Sequence, residues 1–174
     1  MSNRFVAADP NKCIGCRTCE IACAVAHSEQ DIFTAKTEDI QFQPRLTVIK
    51  TAKVSAPVQC RQCKDAPCAS VCPVNCISNK DGYMHVDEAV CIGCKTCMVA
   101  CPYGLIDLVS QYKDGEKILQ ERFRYSDEGE VHTGKEKIIA IKCDLCSNRE
   151  KGPACIDVCP TSALRIINYE DIEE

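Results

Sequence analysis

Cys13, Cys16, Cys19 and Cys23 are spaced C-x2-C-x2-C-x3-C, and Cys91, Cys94, Cys97 and Cys101 repeat that spacing. Two further runs are looser. Cys60, Cys63, Cys68 and Cys72 read C-x2-C-x4-C-x3-C, and Cys143, Cys146, Cys155 and Cys159 read C-x2-C-x8-C-x3-C. Pro73, Pro102 and Pro160 follow directly on the last cysteine of runs two, three and four. Thiolates are soft ligands suited to iron–sulfur clusters. A two-residue gap lets a short loop present successive sulfurs to one cluster. The closing gap of three predicts a helix that carries the third and fourth cysteines on one face, at i and i+4. In bacterial runs of this form the fourth cysteine ligates the other cluster of a pair. Proline then stops the run and turns the chain away, and Gly15 and Gly93 suit tight turns beside the inorganic core.

The runs are an internal repeat. CIGCRTCEIAC (13–23) and CIGCKTCMVAC (91–101) agree at eight of eleven positions. Runs two and four resemble each other more loosely, so the order is that of a duplicated pair. Structural zinc is the competing reading, but zinc sites take four ligands, commonly as two separated pairs. Three cysteines within seven residues, followed by a fourth at helical spacing, favour iron–sulfur chemistry.

Bulk properties narrow the field. The chain has 174 residues, 17 of them Cys, with four Phe, five Tyr and no Trp, so apolar packing alone is a thin source of stability. A disulfide framework needs an oxidising compartment. Met1–Asp9 shows no basic start followed by an apolar run, and an odd cysteine count leaves one thiol over. A reducing cytoplasm is the expected location. No 18-residue apolar stretch marks a membrane span. A net charge of −4 with no basic stripe argues against nucleic acid as a partner.

These motifs resemble the ferredoxin-type subunits that carry four cubanes and accompany molybdenum or tungsten oxidoreductases and hydrogenases. The stretches that carry the likeness are KCIGCRTCEIACAVAH (12–27), CRQCKDAPCASVCP (60–73), CIGCKTCMVACPYG (91–104) and KCDLC with GPACIDVCP (142–160). They are most similar to the small electron-transfer subunits of formate hydrogenlyase and hydrogen-dependent carbon dioxide reductase. The resemblance implies four [4Fe–4S] clusters. Cys13, Cys16 and Cys19 would share one with Cys159, and Cys143, Cys146 and Cys155 another with Cys23. Cys60, Cys63 and Cys68 would share a third with Cys101, and Cys91, Cys94 and Cys97 the fourth with Cys72. It implies an α+β fold of two bacterial 2[4Fe–4S] ferredoxin-like units, one nested within the other, with β-hairpin insertions. Residues 1–56 and 137–174 would form the outer unit, 57–109 the inner one, and 110–136 a hairpin that could dock a partner. The implied partners are a formate dehydrogenase-type molybdenum or tungsten subunit and a hydrogenase or second iron–sulfur subunit.

The remaining segments read as connectors. Asp81-Gly82 within Ser78–Val86 predicts a hairpin. Leu46–Val54 reads as one strand. Ile118–Tyr125 and Lys137–Ile141 read as strands flanking a polar turn near Ser126–Gly134. The acidic end, Asn168–Glu174, reads as a frayed terminus. Cys76 aligns in the repeat with Leu105 and Ala163, which assigns it an apolar packing slot. His27, His85 and His132 are not needed as ligands, because every run already has four cysteines. Lys12, Arg17, Lys95 and Lys142 lie in or beside cluster loops, where positive charge would raise a cluster's potential. Nothing reads as a catalytic site, and no cysteine-free pocket of size is expected. The function expected is electron transfer without catalysis. A free polyferredoxin, a maturation or redox-sensing protein and a zinc-stapled interaction module are the alternatives.

Overall fold

The computed structural model describes residues 3–28, 42–126 and 129–172, with side chains left undescribed from 121 to 133. In chain order the elements are β1 (Arg4–Ala8), α1 (Thr18–Ala26), β2 (Leu46–Lys50), β3 (Ser55–Gln59), α2 (Pro67–Ser70), β4 (Ile77–Lys80), β5 (Tyr83–Val86) and α3 (Thr96–Ala100). They continue as β6 (Asp107–Ser110), β7 (Tyr112–Lys113), β8 (Glu116–Lys117), β9 (Leu119–Ser126), β10 (Gly129–Glu136), β11 (Ile138–Ile141), α4 (Ala154–Asp157) and β12 (Leu164–Asn168). A 3-10 turn over Tyr169–Ile172 occupies the acidic end, and Glu173 and Glu174 lie outside the described residues.

Every described sheet is a two-stranded antiparallel pair. Strand β1 pairs with β12 in the register Arg4↔Asn168 to Ala8↔Leu164, which joins the two ends of the chain. Strand β6 pairs with β11 across the 107–141 segment. The others are local hairpins. Two-stranded sheets are marginal alone, so each needs another element or a ligand to pack on.

Helix length follows the prolines. α1 holds both Cys19 and Cys23 and runs on to Ala26. The other three helices are only four or five residues long and stop before the fourth cysteine of their runs. The residue before proline is pushed out of the helical region, and Cys101 accordingly sits at φ −72, ψ 113. Ala24 stands where those prolines stand, and the helix continues. The expectation that all four runs carry two cysteines on one helix is therefore corrected to one run of four.

Two strand readings also change. Leu46–Val54 is a strand only to Lys50, because Thr51 turns the chain: its N–H donates to the Val54 carbonyl at 2.8 Å. The segment near 126–134 is mostly strand β10, paired with β9 in the register Gly129↔Ser126 to Glu136↔Leu119; residues 127 and 128 of the expected turn lie outside the described residues. Lys137–Ile141 then turns away to pair with Asp107–Ser110. Polar composition suggested a turn, but an exposed antiparallel hairpin also alternates polar residues with others. The 77–86 hairpin is as expected, with Asp81 and Gly82 at φ 48 and 83 making the turn.

Buried residues form two clusters. One gathers Cys76, Cys91, Cys97, Ile106 and Ile139 with their neighbours, and the other Val6, Cys19, Cys23, Val48 and Cys155. Among the described residues no helix is long and apolar enough to cross a membrane.

The close approach of β11 to the third run depends on Gly93. Its φ is +64, and a Cβ there would lie 2.3 Å from the Ile138 carbonyl oxygen. Gly104 has a similar φ of +61 but open space around it. Gly104→Ala should thus cost only the left-handed conformation, about 1–2 kcal/mol. Gly93→Ala should cost at least ~2 kcal/mol more, because the backbone it meets cannot yield without breaking the β6–β11 ladder. Thermal bleaching of the anaerobic protein's visible absorbance checks this. Equal losses in the two variants would refute the close-approach argument.

Candidate metal centres

None of the seventeen cysteines is joined in a disulfide. Their placement brings distant runs together. One cavity, with about 340 Å³ of open space, is walled by Cys13, Cys16, Cys19 and Cys159. A second, of about 280 Å³, is walled by Cys91, Cys94, Cys97 and Cys72, with Cys76 beside them. The other two groups are seen through their mutual fields. Burial first, then the neighbouring sulfurs of Cys60 and Cys101, pushes the Cys63 thiol upward. Burial, then Cys23 and Cys146, pushes Cys155 up to about 12. The helix contacts follow the same partition, with α1 against α4 and α2 against α3.

The burial of these thiols bears on what can occupy the sites. Desolvation lifts Cys19 and Cys68 each to about 11. Such a group does not ionise at neutral pH unless a metal takes the proton's place. Four convergent sulfurs around a small cavity are a donor set that fits an iron–sulfur cluster.

Backbone donors aim at the sulfurs. In runs two, three and four, the N–H four residues after the fourth cysteine points back at its Sγ. These are Cys76 to Cys72 at 3.4 Å, Leu105 to Cys101 at 3.4 Å and Ala163 to Cys159 at 3.3 Å. The chain can make this loop because proline has ended the helix. Run one has no such proline, and the N–H of His27 is used instead for the Ala24 carbonyl. Cys23 receives its N–H from Arg45, 22 residues away, at 3.2 Å. Hydroxyls add to the pattern: Thr18 donates to Cys16 Sγ and Thr96 to Cys94 Sγ, both at 3.4 Å, and the Thr161 hydroxyl lies 3.8 Å from Cys159 Sγ.

Several polar residues around the sites carry no signal in the cysteine pattern. Glu20 is buried and accepts the Val48 N–H at 2.6 Å, tying α1 to β2. Arg45 pairs with Asp144 at 2.9 Å and with Glu88 at 3.0 Å. His27 Nε2 lies 2.9 Å from the other Asp144 oxygen, and its Nδ1 lies 2.8 Å from the Cys23 carbonyl. Burial opposes charge on His27, but hydrogen bonds to Asp144 and Cys23 outweigh it and lift the imidazole to about 9. Burial likewise opposes charge on Asp144, but His27 and Arg45 hold it down at about 2. His27, Asp144 and Cys146 bring three possible ligand atoms within 4.8 Å. Two of them are already committed to each other, so this group buttresses run four. Glu20 and Asp144 lie inside cysteine runs and Arg45 in a cysteine-free stretch, and the spacing marks the partners of none of them.

Cys76 is 4% exposed and packs in the core, as the repeat implies, though its Sγ also lies 3.4 Å from Cys72 Sγ. His85 sits in β5, half-buried, and the side chain of His132 lies outside the described residues. Lys12, Arg17 and Lys95 are exposed, whereas Lys142 is buried. One expectation fails: a cysteine-free cleft of about 520 Å³ exists, walled by His27, Arg45, Glu88, Lys142 and Asp144 among others. Arg45, Glu88, Asp144 and His27 at its wall are paired with one another, and Lys142 donates to carbonyl and amide oxygens.

Fold and donor sets together define an iron–sulfur protein of the ferredoxin type. The 4Fe-4S dicluster domain family matches residues 90–163, and the 4Fe-4S binding domain family matches residues 10–26. The chain is 46% identical over 172 residues to the electron transport protein HydN of Escherichia coli K12, spanning 99% of this chain and 92% of that one. It is 40% identical to formate hydrogenlyase subunit 2 and 38% to hydrogenase-4 component A of the same organism, each across 98% of this chain and 84% or 85% of theirs. The chain belongs to this family of [4Fe–4S] electron-transport proteins and carries multiple [4Fe–4S] clusters.

The hydroxyl donors give a local test. A hydrogen bond to sulfur favours the more negative, reduced state of whatever the sulfur ligates. Thr96→Val should lower one midpoint potential and leave the rest in place, and Thr18→Val should lower a different one. At about 0.5–1 kcal/mol per bond, the reduced-to-oxidised ratio at a fixed potential falls a few-fold. Redox titration followed by electron paramagnetic resonance reads this. Unchanged potentials in both variants would mean that solvent supplies the same hydrogen bond.

Proposed function

We propose that the chain is a non-catalytic electron-transfer subunit that relays single electrons through four [4Fe–4S] clusters. The observation that carries this reading is the meeting of three cysteines from one run with the fourth of another, around a small cavity. The ligand sets are Cys13, Cys16, Cys19 with Cys159; Cys143, Cys146, Cys155 with Cys23; Cys60, Cys63, Cys68 with Cys101; and Cys91, Cys94, Cys97 with Cys72. Each bound cluster supplies one-electron exchange. The chain's own residues hold the sulfurs, exclude water and aim N–H and O–H donors at them. The two cysteine-bearing cores support a division into an outer ferredoxin-like unit, 1–56 with 137–174, around an inner one, 57–109. Strand β11 reaches from the outer segment to complete the inner core, and the inserted stretch 110–136, which carries the β7–β8 and β9–β10 pairs, is the docking surface in this reading.

Runs one and three are the ends of the relay. Cys16 and Cys94 are the two exposed cysteines. Apolar side chains stand in solvent beside them, Ile14 and Ile21 near the first and Val99 and Tyr103 near the third. Exposed apolar surface next to a redox site suits docking of a redox partner. The partners in this reading are a formate dehydrogenase-type molybdenum or tungsten subunit and a hydrogenase, with the assembly in the cytoplasm; relatives named as a formate hydrogenlyase subunit and a hydrogenase component support a redox partnership of this kind.

Anaerobic purification followed by iron and acid-labile sulfide assays tests the reading. Four cubanes require about sixteen of each per chain. About eight would leave one ferredoxin-like unit without clusters, and zinc without sulfide would end the electron-transfer proposal. Co-purification with a formate dehydrogenase-type subunit supports the fixed partnership, whereas a stable lone monomer indicates a diffusing carrier.

A further inference from the structure

We propose that Lys142 is a buried counter-cation shared by the ligand sets of runs two and four, and that Gln62 positions it. Its charge raises the potentials of the two clusters held there. The inference rests on the four-cluster reading and goes beyond it by singling out the junction between the two units.

Lys142 is 2% exposed and Gln62 is fully buried. The Lys142 Nζ donates to Gln62 Oε1 at 3.2 Å, to the Cys143 carbonyl at 3.1 Å and to the Met84 carbonyl. Three acceptors around one nitrogen call for three protons, which is the ammonium form. Every one of those acceptors is a neutral oxygen. Among the described residues no carboxylate forms an ion pair with it. A buried charge with no counter-charge is costly, and hydrogen bonds to neutral oxygens offset only part of that cost. The ligating sulfurs supply negative charge nearby, and the Lys142 charge favours the thiolate of Cys143. Lys142 precedes Cys143 in the chain, and its field also reaches Cys68.

Gln62 holds the two runs together at this point. It lies inside the Cys60–Cys63 loop at φ 53, and its backbone N–H points to Cys60 Sγ at 3.4 Å. Its side-chain Nε2 donates to the Cys143 carbonyl at 2.7 Å, and its Oε1 accepts the Met84 N–H at 2.8 Å as well as Lys142. Asn3 closes the group by donating to the Gln62 carbonyl at 2.8 Å. The loops of runs two and four are therefore locked to each other by one amide and one ammonium. Lys12, Arg17 and Lys95 stand beside runs one and three but in solvent, where salt and water screen them. Lys142 acts in a low dielectric, where the same charge has a much larger effect.

The test is a redox titration of the anaerobic, cluster-loaded protein followed by electron paramagnetic resonance, with signals assigned through Cys63→Ser and Cys146→Ser. Lys142→Met is expected to lower the two midpoints of runs two and four. At a fixed potential each should become at least tenfold less reduced, which is ~59 mV for a one-electron couple, while the other two midpoints stay in place. Gln62→Glu is the second variant, for use where Lys142→Met loads poorly. It keeps the Oε1 acceptor, gives up the Nε2 donor to the Cys143 carbonyl and sets a carboxylate beside the ammonium, and the same two midpoints should fall. Four equal shifts, or none, in a fully loaded variant would overturn the proposal. An iron count well below sixteen in the unmodified chain would instead remove the four-cluster reading on which it stands.

Discussion

A buried cysteine sulfur can hold negative charge only if a metal or a hydrogen-bond donor shares it. This constraint organises the whole chain. Cysteines such as Cys19, Cys23, Cys91, Cys97 and Cys155 occupy the interior positions that large apolar side chains fill in most domains. The sheets are pairs of short strands and three of the helices make barely one turn. None of these elements would persist alone. Metal ligation at the sulfurs supplies the cross-links, and the backbone is shaped to bring donors to them.

Proline sets that shape at three of the four runs. By ending the helix at the fourth cysteine, it frees the N–H four residues on to turn back to the sulfur. The first run shows the same requirement met differently. There the helix continues, its N–H groups are spent on helical carbonyls, and Arg45 arrives from a remote stretch to serve Cys23. Arg45 also neutralises Asp144, which in turn orients His27 beside the same cysteine. A missing proline is thereby linked to a buried ion-pair network.

Charge is distributed unevenly over the four cysteine runs. Exposed cations sit by the runs whose sulfurs reach solvent, and the buried Lys142 sits where runs two and four meet. An electron relay needs sites that differ in potential as well as in position, and the protein's means of setting potential are hydrogen bonds, burial and nearby charge. All three appear here in different proportions at different runs.

The cysteine spacing by itself determined the chemistry, because ligand type and local loop length are properties of a few consecutive residues. The hairpin at Asp81-Gly82 and the packing slot of Cys76 were legible for the same reason. Helix length was legible in principle, since Pro73, Pro102 and Pro160 are in plain view and only Ala24 breaks the pattern. Tertiary structure alone decided which distant elements meet. Nothing in Ile138–Ile141 says that it pairs with Asp107–Ser110, since β-branched residues mark a strand but not its partner. Nor does the sequence distinguish Lys142 from Lys12, each of which immediately precedes a cysteine. Their difference is burial, and burial is set by long-range contacts that pair Lys142 with Gln62, 80 residues away.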